Sequence, residues 1–81
     1  MDDSVKKAAM SIMRVFKRKG LHAGDFIKFT DFGGALRWDA GHMRDEDQRE
    51  GLRELSEHGL VVETSAGLEL TARGEKSLEK L

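Results

Sequence analysis

Side chains that bind metals or carry out acid–base catalysis are few in this chain and lie far apart. Its 81 residues include three histidines and no cysteine, which excludes a thiolate metal site. His22, His42 and His58 lack the close spacing of a ligand set. Glu54 stands four residues before His58, but a metal site needs a second pair of ligands. The sequence therefore predicts no metal site.

The adjacent glycines Gly33 and Gly34 are a further candidate, because glycine-rich loops bind phosphate. They lack the lysine and the flanking pattern of such a loop, so they are predicted to distort a helix or to allow close packing. No serine or threonine has a recognisable base partner. A chain of this length has little room for a buried substrate cavity. We therefore expect no catalytic residue, no cofactor and no enzyme activity.

Basic side chains between residues 28 and 53 form a first group of candidates for contact with nucleic acid. Lysine and arginine contact phosphates, and arginine also binds the edge of guanine. These DNA-binding candidates are Lys28, Arg37, Arg44, Arg49 and Arg53. Arg49 and Arg53 also stand at helical neighbour spacing from glutamates, so ion pairing within one helix is an alternative interpretation of the same arginines.

Charge is divided unevenly along the chain. Residues 1–40 hold 8 basic and 5 acidic side chains, whereas residues 41–81 hold 6 basic and 10 acidic ones. The basic excess lies on the first predicted helix, away from its apolar stripe. The basic-face candidates are Lys6, Lys7, Arg14, Lys17 and Arg18. This face is either a surface for phosphates or an acidic partner, or an ordinary solvated surface.

An acidic face is predicted on the helix that follows residue 45. If Leu52 and Leu55 point inward, at about 100° per residue the opposite side carries Arg53 and four glutamates. The candidates for protein contact on this side are Glu46, Glu50, Glu54 and Glu57. Residues 60–70 add two glutamates and no lysine or arginine. Such a surface opposes DNA binding, which depends on cations that displace counterions from phosphates.

The first predicted helix spans residues 4–19, where apolar side chains recur on one stripe. Asp2, Asp3 or Ser4 is expected to be its N-cap. Gly20 stands just beyond its predicted end.

A short strand and a second helix follow. Residues 26–29 are rich in aromatic side chains and favour a brief strand. Thr30 is predicted to cap a helix that ends near Trp38. Trp38 is expected to cover the edge of the core, with an exposed partner anchor as the alternative.

The sequence from Asp45 onward predicts a helix, a hairpin and a closing helix. Asp45 and Gln48 have the spacing of a capping box at the start of a helix that runs to His58, with Gly59 as its C-cap. Two strands share an apolar face across a turn at residues 64–67. Thr71 is predicted to cap the closing helix, which carries Leu78 and Leu81. The expected core is Val5, Ala8, Ile12, Phe16, Leu21, Phe29, Phe32, Leu36, Leu52, Leu55, Leu60, Val62, Leu68 and Leu70.

Residues 51–74 carry a resemblance to a known family of domains. Their sequence, GLRELSEHGLVVETSAGLELTARG, resembles the back half of a winged helix-turn-helix domain. The pattern Leu70-Thr71-x-x-Gly74 is similar to the strand-to-helix junction of MarR-like and PadR-like regulators. The resemblance implies one α+β domain over residues 1–81, with three helices, a small antiparallel sheet and a short C-terminal helix. It also implies that the third helix is the recognition helix and that the hairpin is the wing.

Two functional classes follow from these observations. The resemblance implies a small DNA-binding module or transcription regulator, whereas the acidic third helix favours a winged helix that binds protein. A homodimer is a further expectation, either through Leu78 and Leu81 or through the complementary basic and acidic faces. No apolar run approaches the length of a signal-peptide core or a membrane span, so a cytoplasmic protein without a membrane partner is expected.

Overall fold

Helices and short strands alternate along the chain. The computed structural model describes residues 3–41 and 43–81. The elements are α1 (Asp3–Arg18), β1 (Phe26–Lys28), α2 (Phe29–Ala40), α3 (Asp45–Glu57), β2 (Val61–Glu63), β3 (Gly67–Leu70) and α4 (Ala72–Leu78). The strands form one antiparallel sheet in the order β1-β3-β2. The described residues therefore have an α+β fold of four helices and a three-stranded antiparallel sheet, which confirms the predicted class at this level.

α1 contacts each of the other three helices and supplies much of the core. Its fully buried side chains include Ala8, Ile12, Val15 and Phe16. Asp3 and Ser4 lie in its first turn, while the other candidate N-cap, Asp2, lies outside the described residues. The stripe predicted from the sequence is thus the stripe that is buried, and the opposite side of α1 is left to solvent.

α1 and α3 approach closely because Gly51 has no side chain. A Cβ atom at position 51 would lie 2.9 Å from the backbone nitrogen of Ala9 and 3.0 Å from the Cβ of Ala8. Small residues on both helices therefore bring the two backbones together. The residues on either side of this crossing define the cleft described below.

The end of α3 follows the prediction at Gly59. This residue has φ of 71°, in the left-handed region that favours glycine. Its N–H donates to the Ser56 carbonyl at 3.0 Å, and the Leu60 N–H donates to the Leu55 carbonyl at 2.9 Å. This pair of bonds is a Schellman motif, which satisfies carbonyl groups at the helix end.

The start of α4 also follows the prediction. The Thr71 hydroxyl oxygen accepts a hydrogen bond from the Gly74 N–H at 2.9 Å. The same hydroxyl donates to the Gly59 carbonyl at 2.6 Å, with the Leu60 carbonyl 3.0 Å away. Thr71 is therefore the N-cap, and it also ties α4 to the segment between α3 and β2.

The prediction that Thr30 caps α2 is wrong. α2 begins at Phe29, directly after β1, and its N-cap is Lys28 in an extended conformation. The Phe29 N–H donates to the Ala66 carbonyl of the hairpin turn at 3.0 Å. A long-range backbone partner therefore takes the place of a side-chain cap. At its other end α2 extends to Ala40, two residues beyond the predicted boundary.

The predicted capping box of α3 is also wrong. The N-cap is Arg44, which makes no side-chain cap bond, and Asp45 is the first helical residue. The Gln48 N–H donates to the Arg44 carbonyl at 3.0 Å, as in an ordinary helical turn. The Arg44 side chain instead binds the carboxylate of Asp47.

β2 faces the core in a different phase from the predicted one, whereas Leu68 and Leu70 of β3 are buried as predicted. Val61 is 2% exposed and pairs with Leu70, whereas Val62 is 47% exposed and pairs with Glu69. The prediction that Val62 is a core residue is therefore wrong. Leu60 belongs to the turn that ends α3, so the strand begins one residue later and Val61 points inward.

Nine of the fourteen predicted core residues are buried, and four are half-buried: Val5, Leu21, Phe29 and Leu60. The separate prediction that Trp38 covers the edge of the core is wrong. Its side chain is 75% exposed and stacks under the Arg18 guanidinium, 4.3 Å from the ring centroid. Trp38 lies two residues beyond the buried Leu36, about 200° around the helix, so the two side chains cannot share a face. Buried residues that the sequence analysis left out of its core are Ala9, Met13, Val15, Ile27, Val61 and Leu78.

Gly33 and Gly34 lie on the exposed side of α2. A Cβ atom at either position would meet nothing within 4 Å, so close packing does not explain this pair. None of the described helices has both the length and the apolar character of a membrane-crossing segment.

Candidate functional site

The exposed face of α3 carries the acidic residues in the predicted arrangement. Glu46, Glu50 and Glu57 are exposed, and the side chain of Glu54 is 32% exposed. Arg53 lies among them, with 3.5 Å between its Nη1 and the Glu50 Oε1 and 3.9 Å between its Nε and the Glu57 Oε1. The predicted pairing within the helix is therefore present for Arg53. Its positive charge is offset by two carboxylates.

Arg49 differs from Arg53. It makes no ion pair or hydrogen bond with any described residue, and its side chain lines a shallow depression with Asp45 and Gln48. From α2, Arg37 lines an adjoining groove together with the same Asp45 and Gln48. Arg37 is likewise exposed and unpaired within residues 3–41 and 43–81. Both arginines thus line depressions that contain Gln48 and the carboxylate of Asp45.

Arg44 is held in a defined position before α3. Its Nε lies 3.0 Å from the Asp47 Oδ2, and its Nη2 lies 3.1 Å from the Asp47 Oδ1. Asp47 is 9% exposed, so this two-bond pair is partly shielded from water. The pair fixes Arg44 at the edge of a groove between α1 and α3.

This groove, the α1–α3 cleft, has a volume of about 530 Å³ and is open to solvent. It is lined by Ser4, Lys7, Ala8, Met10, Ser11, Arg14, Met43, Arg44 and Asp47. The fold therefore brings two of the basic-face candidates, Lys7 and Arg14, together with Arg44, one of the DNA-binding candidates. The Arg14 Nη2 donates to the Ser11 Oγ at 2.9 Å, which orients this guanidinium along the cleft wall.

The other candidate cations lie outside the cleft. Arg18 stacks on Trp38, and the Lys17 ammonium donates to the Leu81 carbonyl. Lys28 ends β1, paired with Gly67 of β3, and is exposed. Lys6 is exposed on α1 and does not line the cleft. The basic face of α1 is thus divided into separate parts.

The outer face of the sheet offers no cation from the hairpin. Phe26 and Val62 flank Glu69 in register across the three strands, and all three side chains are exposed. The turn is closed by Thr64, whose hydroxyl oxygen accepts from the Gly67 N–H at 3.1 Å. The outer face of the hairpin therefore presents apolar and acidic groups.

Of the two residues predicted to form an apolar homodimer contact, Leu78 and Leu81, only one is exposed. Leu78 is 7% exposed and belongs to the core of its own chain, so it is not available to a second copy. Leu81 is 39% exposed.

A second polar cluster, which sequence reasoning missed, joins the loop after α1 to α4. The Glu75 carboxylate lies 2.8 Å from the His22 Nδ1 and accepts the Ala23 N–H at 2.9 Å. The hydrogen bond and charge of Glu75 raise the pKa of His22. The Ala23 N–H and the bond from His22 lower the pKa of Glu75. No local sequence motif predicts this pair, because its members lie 53 residues apart in the chain.

Replacing Glu75 with glutamine is expected to lower the pKa of His22 toward its usual value of 6.5. Because folding raises the pKa of His22, the pair stabilises the fold fully below pH 6.5, and this contribution is lost as pH rises through the pKa of His22 in the folded protein. Because folding lowers the pKa of Glu75, its contribution to stability is present above pH 4.5 and is lost as pH falls through the pKa of Glu75 in the folded protein. The stability difference between the two proteins should therefore be largest from pH 4.5 to 6.5.

NMR titration of the His22 ring in the natural protein and in Glu75→Gln measures this effect. Glu79→Gln, which removes a neighbouring carboxylate that does not touch His22, is the control. An unchanged His22 pKa in Glu75→Gln would show that the pair does not form in solution.

His22 and His58 have different partners. His22 binds Glu75, and the His58 ring lies 3.1 Å from the Glu54 carbonyl. His42 lies outside the described residues. In the described part of the chain, no group of three His, Cys, Asp or Glu side chains is placed to hold a metal ion. Comparisons with protein-family models, with curated proteins and with solved structures gave no match.

Proposed function

We propose that this chain is a winged helix-turn-helix domain that binds DNA as a small transcription regulator in the cytoplasm. The order α1, β1, α2, α3, β2, β3 supports this proposal, as does the antiparallel sheet that places β3 between β1 and β2. In this proposal α2 and α3 form the helix-turn-helix, α3 is the recognition helix, and the β2–β3 hairpin is the wing.

The observation that carries the proposal is the placement of Arg37 and Arg49 beside Gln48 and Asp45, with no ion pair from either arginine to a described residue. In helix-turn-helix proteins, residues in the N-terminal part of the recognition helix contact base edges. Gln48 and Arg49 occupy that part of α3, and Arg37 reaches the same groove from α2. Glutamine pairs with adenine, and arginine pairs with guanine or phosphate. These three side chains have the chemistry of a small DNA-reading surface.

The acidic residues of α3 determine how DNA approaches. Asp45, Glu46, Asp47 and Glu50 lie in the N-terminal half of the helix, and Glu54 and Glu57 lie in its C-terminal half, so a duplex that reaches Arg49 approaches it past several carboxylates. Glu46 and Glu50 remain near Arg49 and weaken the attraction to phosphates. We therefore expect modest affinity with strong dependence on salt.

Replacing Arg49 with alanine is expected to weaken binding of a mixed-sequence duplex by about fivefold or more at low salt, because it removes a cation that displaces counterions from a phosphate. Arg53→Ala is the matched control. It removes the same side chain one turn away, but the Arg53 charge is already offset by Glu50 and Glu57 and its loss should matter less. Both variants should keep their stability within about 0.5 kcal/mol.

Fluorescence anisotropy of a labelled mixed-sequence duplex at about 50 mM salt measures these affinities. Equal losses in the two variants would indicate a diffuse charge effect. No loss in Arg49→Ala would remove this arginine from the interface.

A second candidate function is binding of a basic protein segment by the acidic face of α3. The observation that favours it is the exposure of Glu46, Glu50 and Glu57 around the already neutralised Arg53. Complementary charge gives such interfaces their specificity and association rate. The basic face of α1 in a second copy of this chain is one surface that fits.

A further inference from the structure

The outer face of the sheet carries an exposed aromatic ring next to two opposite charges. Phe26 of β1 is 42% exposed. Glu69 lies directly across from Phe26 on β3, and Lys28 lies two residues further along β1, on the same face. The side chains of Lys28 and Glu69 are exposed, and neither has an ion pair or hydrogen bond with a residue in the described ranges. This face therefore combines a cation, an anion and an apolar ring.

The rest of the face is low enough for a second sheet to approach. Gly67, which pairs with Lys28, adds no side chain. Val62 pairs with Glu69 from the other side and is 47% exposed. Two sheets pack face to face about 10 Å apart, with their side chains interdigitated. The outer face thus offers apolar side chains on both sides of Glu69 to another sheet.

The groups on this face are complementary to one another under two-fold symmetry. In a symmetric dimer both copies use the same patch, so every contact occurs twice. A two-fold axis that places Lys28 over Glu69 of a second copy also places Glu69 over Lys28 of that copy. Because Phe26 is next to both charged residues, the same axis brings the two Phe26 rings together. One arrangement therefore forms two ion pairs and an aromatic contact.

We propose that this outer sheet face, made of Phe26, Lys28, Val62 and Glu69, is the contact surface of a symmetric homodimer. A second copy fits better than a purely basic or purely acidic partner, because either of those would meet one like charge. A sheet of three short strands is smaller than the standard interface of about 800 Å² per partner. We therefore expect a weak dimer, with a dissociation constant of about 0.1–1 mM. Such a dimer does not require DNA binding.

Charge exchange between the two positions tests the symmetric contact. Lys28→Glu alone and Glu69→Lys alone should each weaken self-association by about tenfold or more, because two attractive pairs become two repulsive ones. An equimolar mixture of the two variants should associate about as well as the natural protein. In a mixed dimer each of the two contacts again joins a lysine and a glutamate. Sedimentation equilibrium up to about 2 mM measures these associations.

Lys19→Glu and Glu79→Lys are the matched controls. They make the same charge changes just after α1 and just after α4, away from the sheet face. Each control should self-associate like the natural protein, and mixing the two controls should add nothing. Because the control mixture has the same net charges as the test mixture, it measures general attraction between oppositely charged proteins. Thermal unfolding of all four variants checks that the fold is intact.

A dilution series of the ¹⁵N-labelled natural protein locates the contact without any substitution. Amide signals of residues 26–28 and 67–69 should depend on concentration, whereas those of α3 should not. A natural protein that stays monomeric at about 2 mM would overturn the proposal. So would concentration-dependent shifts confined to other elements, or a mixture of Lys28→Glu and Glu69→Lys that associates no better than either variant alone. An equal gain in the control mixture would show attraction between net charges instead of a paired contact.

Discussion

Replacing Gly74 with alanine is expected to destabilise the domain by about 3 kcal/mol, a large fraction of the stability of a small protein. An added Cβ would collide with the Leu60 carbonyl oxygen and would lie 2.7 Å from the Leu70 Cδ1. The carbonyl cannot move away easily, because it accepts the Thr71 N–H at 3.2 Å and lies in the turn that the Thr71 hydroxyl holds through the Gly59 carbonyl at 2.6 Å. Relief of the collision would therefore break the cap of α4 or displace the turn after α3.

Gly34→Ala is the matched control for Gly74→Ala. Gly34 is also helical, but a Cβ there meets nothing within 4 Å. Because alanine loses less backbone entropy than glycine, this variant should be more stable by about 0.5–1 kcal/mol. Urea unfolding followed by circular dichroism measures both changes. A Gly74→Ala protein as stable as the natural one would contradict the described junction between β3 and α4.

Reversing two charges on α3, with Glu50→Lys and Glu54→Lys together, is expected to raise duplex affinity by about tenfold or more at low salt. The change removes two carboxylates that repel phosphates and adds two cations that displace counterions. Affinity should also fall more steeply with salt, because each added phosphate contact increases the slope by about one. The side chains of Glu50 and Glu54 are 48% and 32% exposed, so the helix should tolerate the replacements.

Single variants separate a local effect from a general one. Glu50→Lys changes the charge beside Arg49, whereas Glu79→Lys makes the same change after α4. If α3 contacts DNA, Glu50→Lys should raise affinity more than Glu79→Lys does. Equal gains would place the duplex elsewhere on the protein. Loss of a captured basic partner in the double variant would instead favour protein binding by this face.

Local sequence signals predicted parts of this fold well because their physical causes are local. Gly59 ends α3 through its own backbone conformation, and the Thr71 hydroxyl caps the helix that follows it. The predictions failed where a distant group intervened. The N–H of Phe29 binds the carbonyl of Ala66, 37 residues later, and this bond removed the need for a cap at Thr30. No local pattern contains that contact.

The sequence predicted which side chains lie on the exposed face of α3, but not which of them form ion pairs. Helical periodicity gave the exposed face of α3, including Arg49 and Arg53. It did not distinguish Arg53, which is bound by two glutamates, from Arg49, which has no ion pair among the described residues, because both have glutamates at neighbouring positions. The α1–α3 cleft was missed because Lys7 and Arg44 come together only when α1 packs on α3.

The central claim is that the N-terminal half of α3 binds DNA. An amide-resolved NMR titration of the labelled protein with a mixed-sequence duplex, at about 50 mM and then about 200 mM salt, tests it most directly. The proposal predicts shifts at Gln48, Arg49 and Arg37 in low salt that shrink steeply in high salt. An absence of shifts in low salt, where phosphate-driven binding is strongest, would contradict DNA binding and leave the acidic face of α3 as the leading interaction surface.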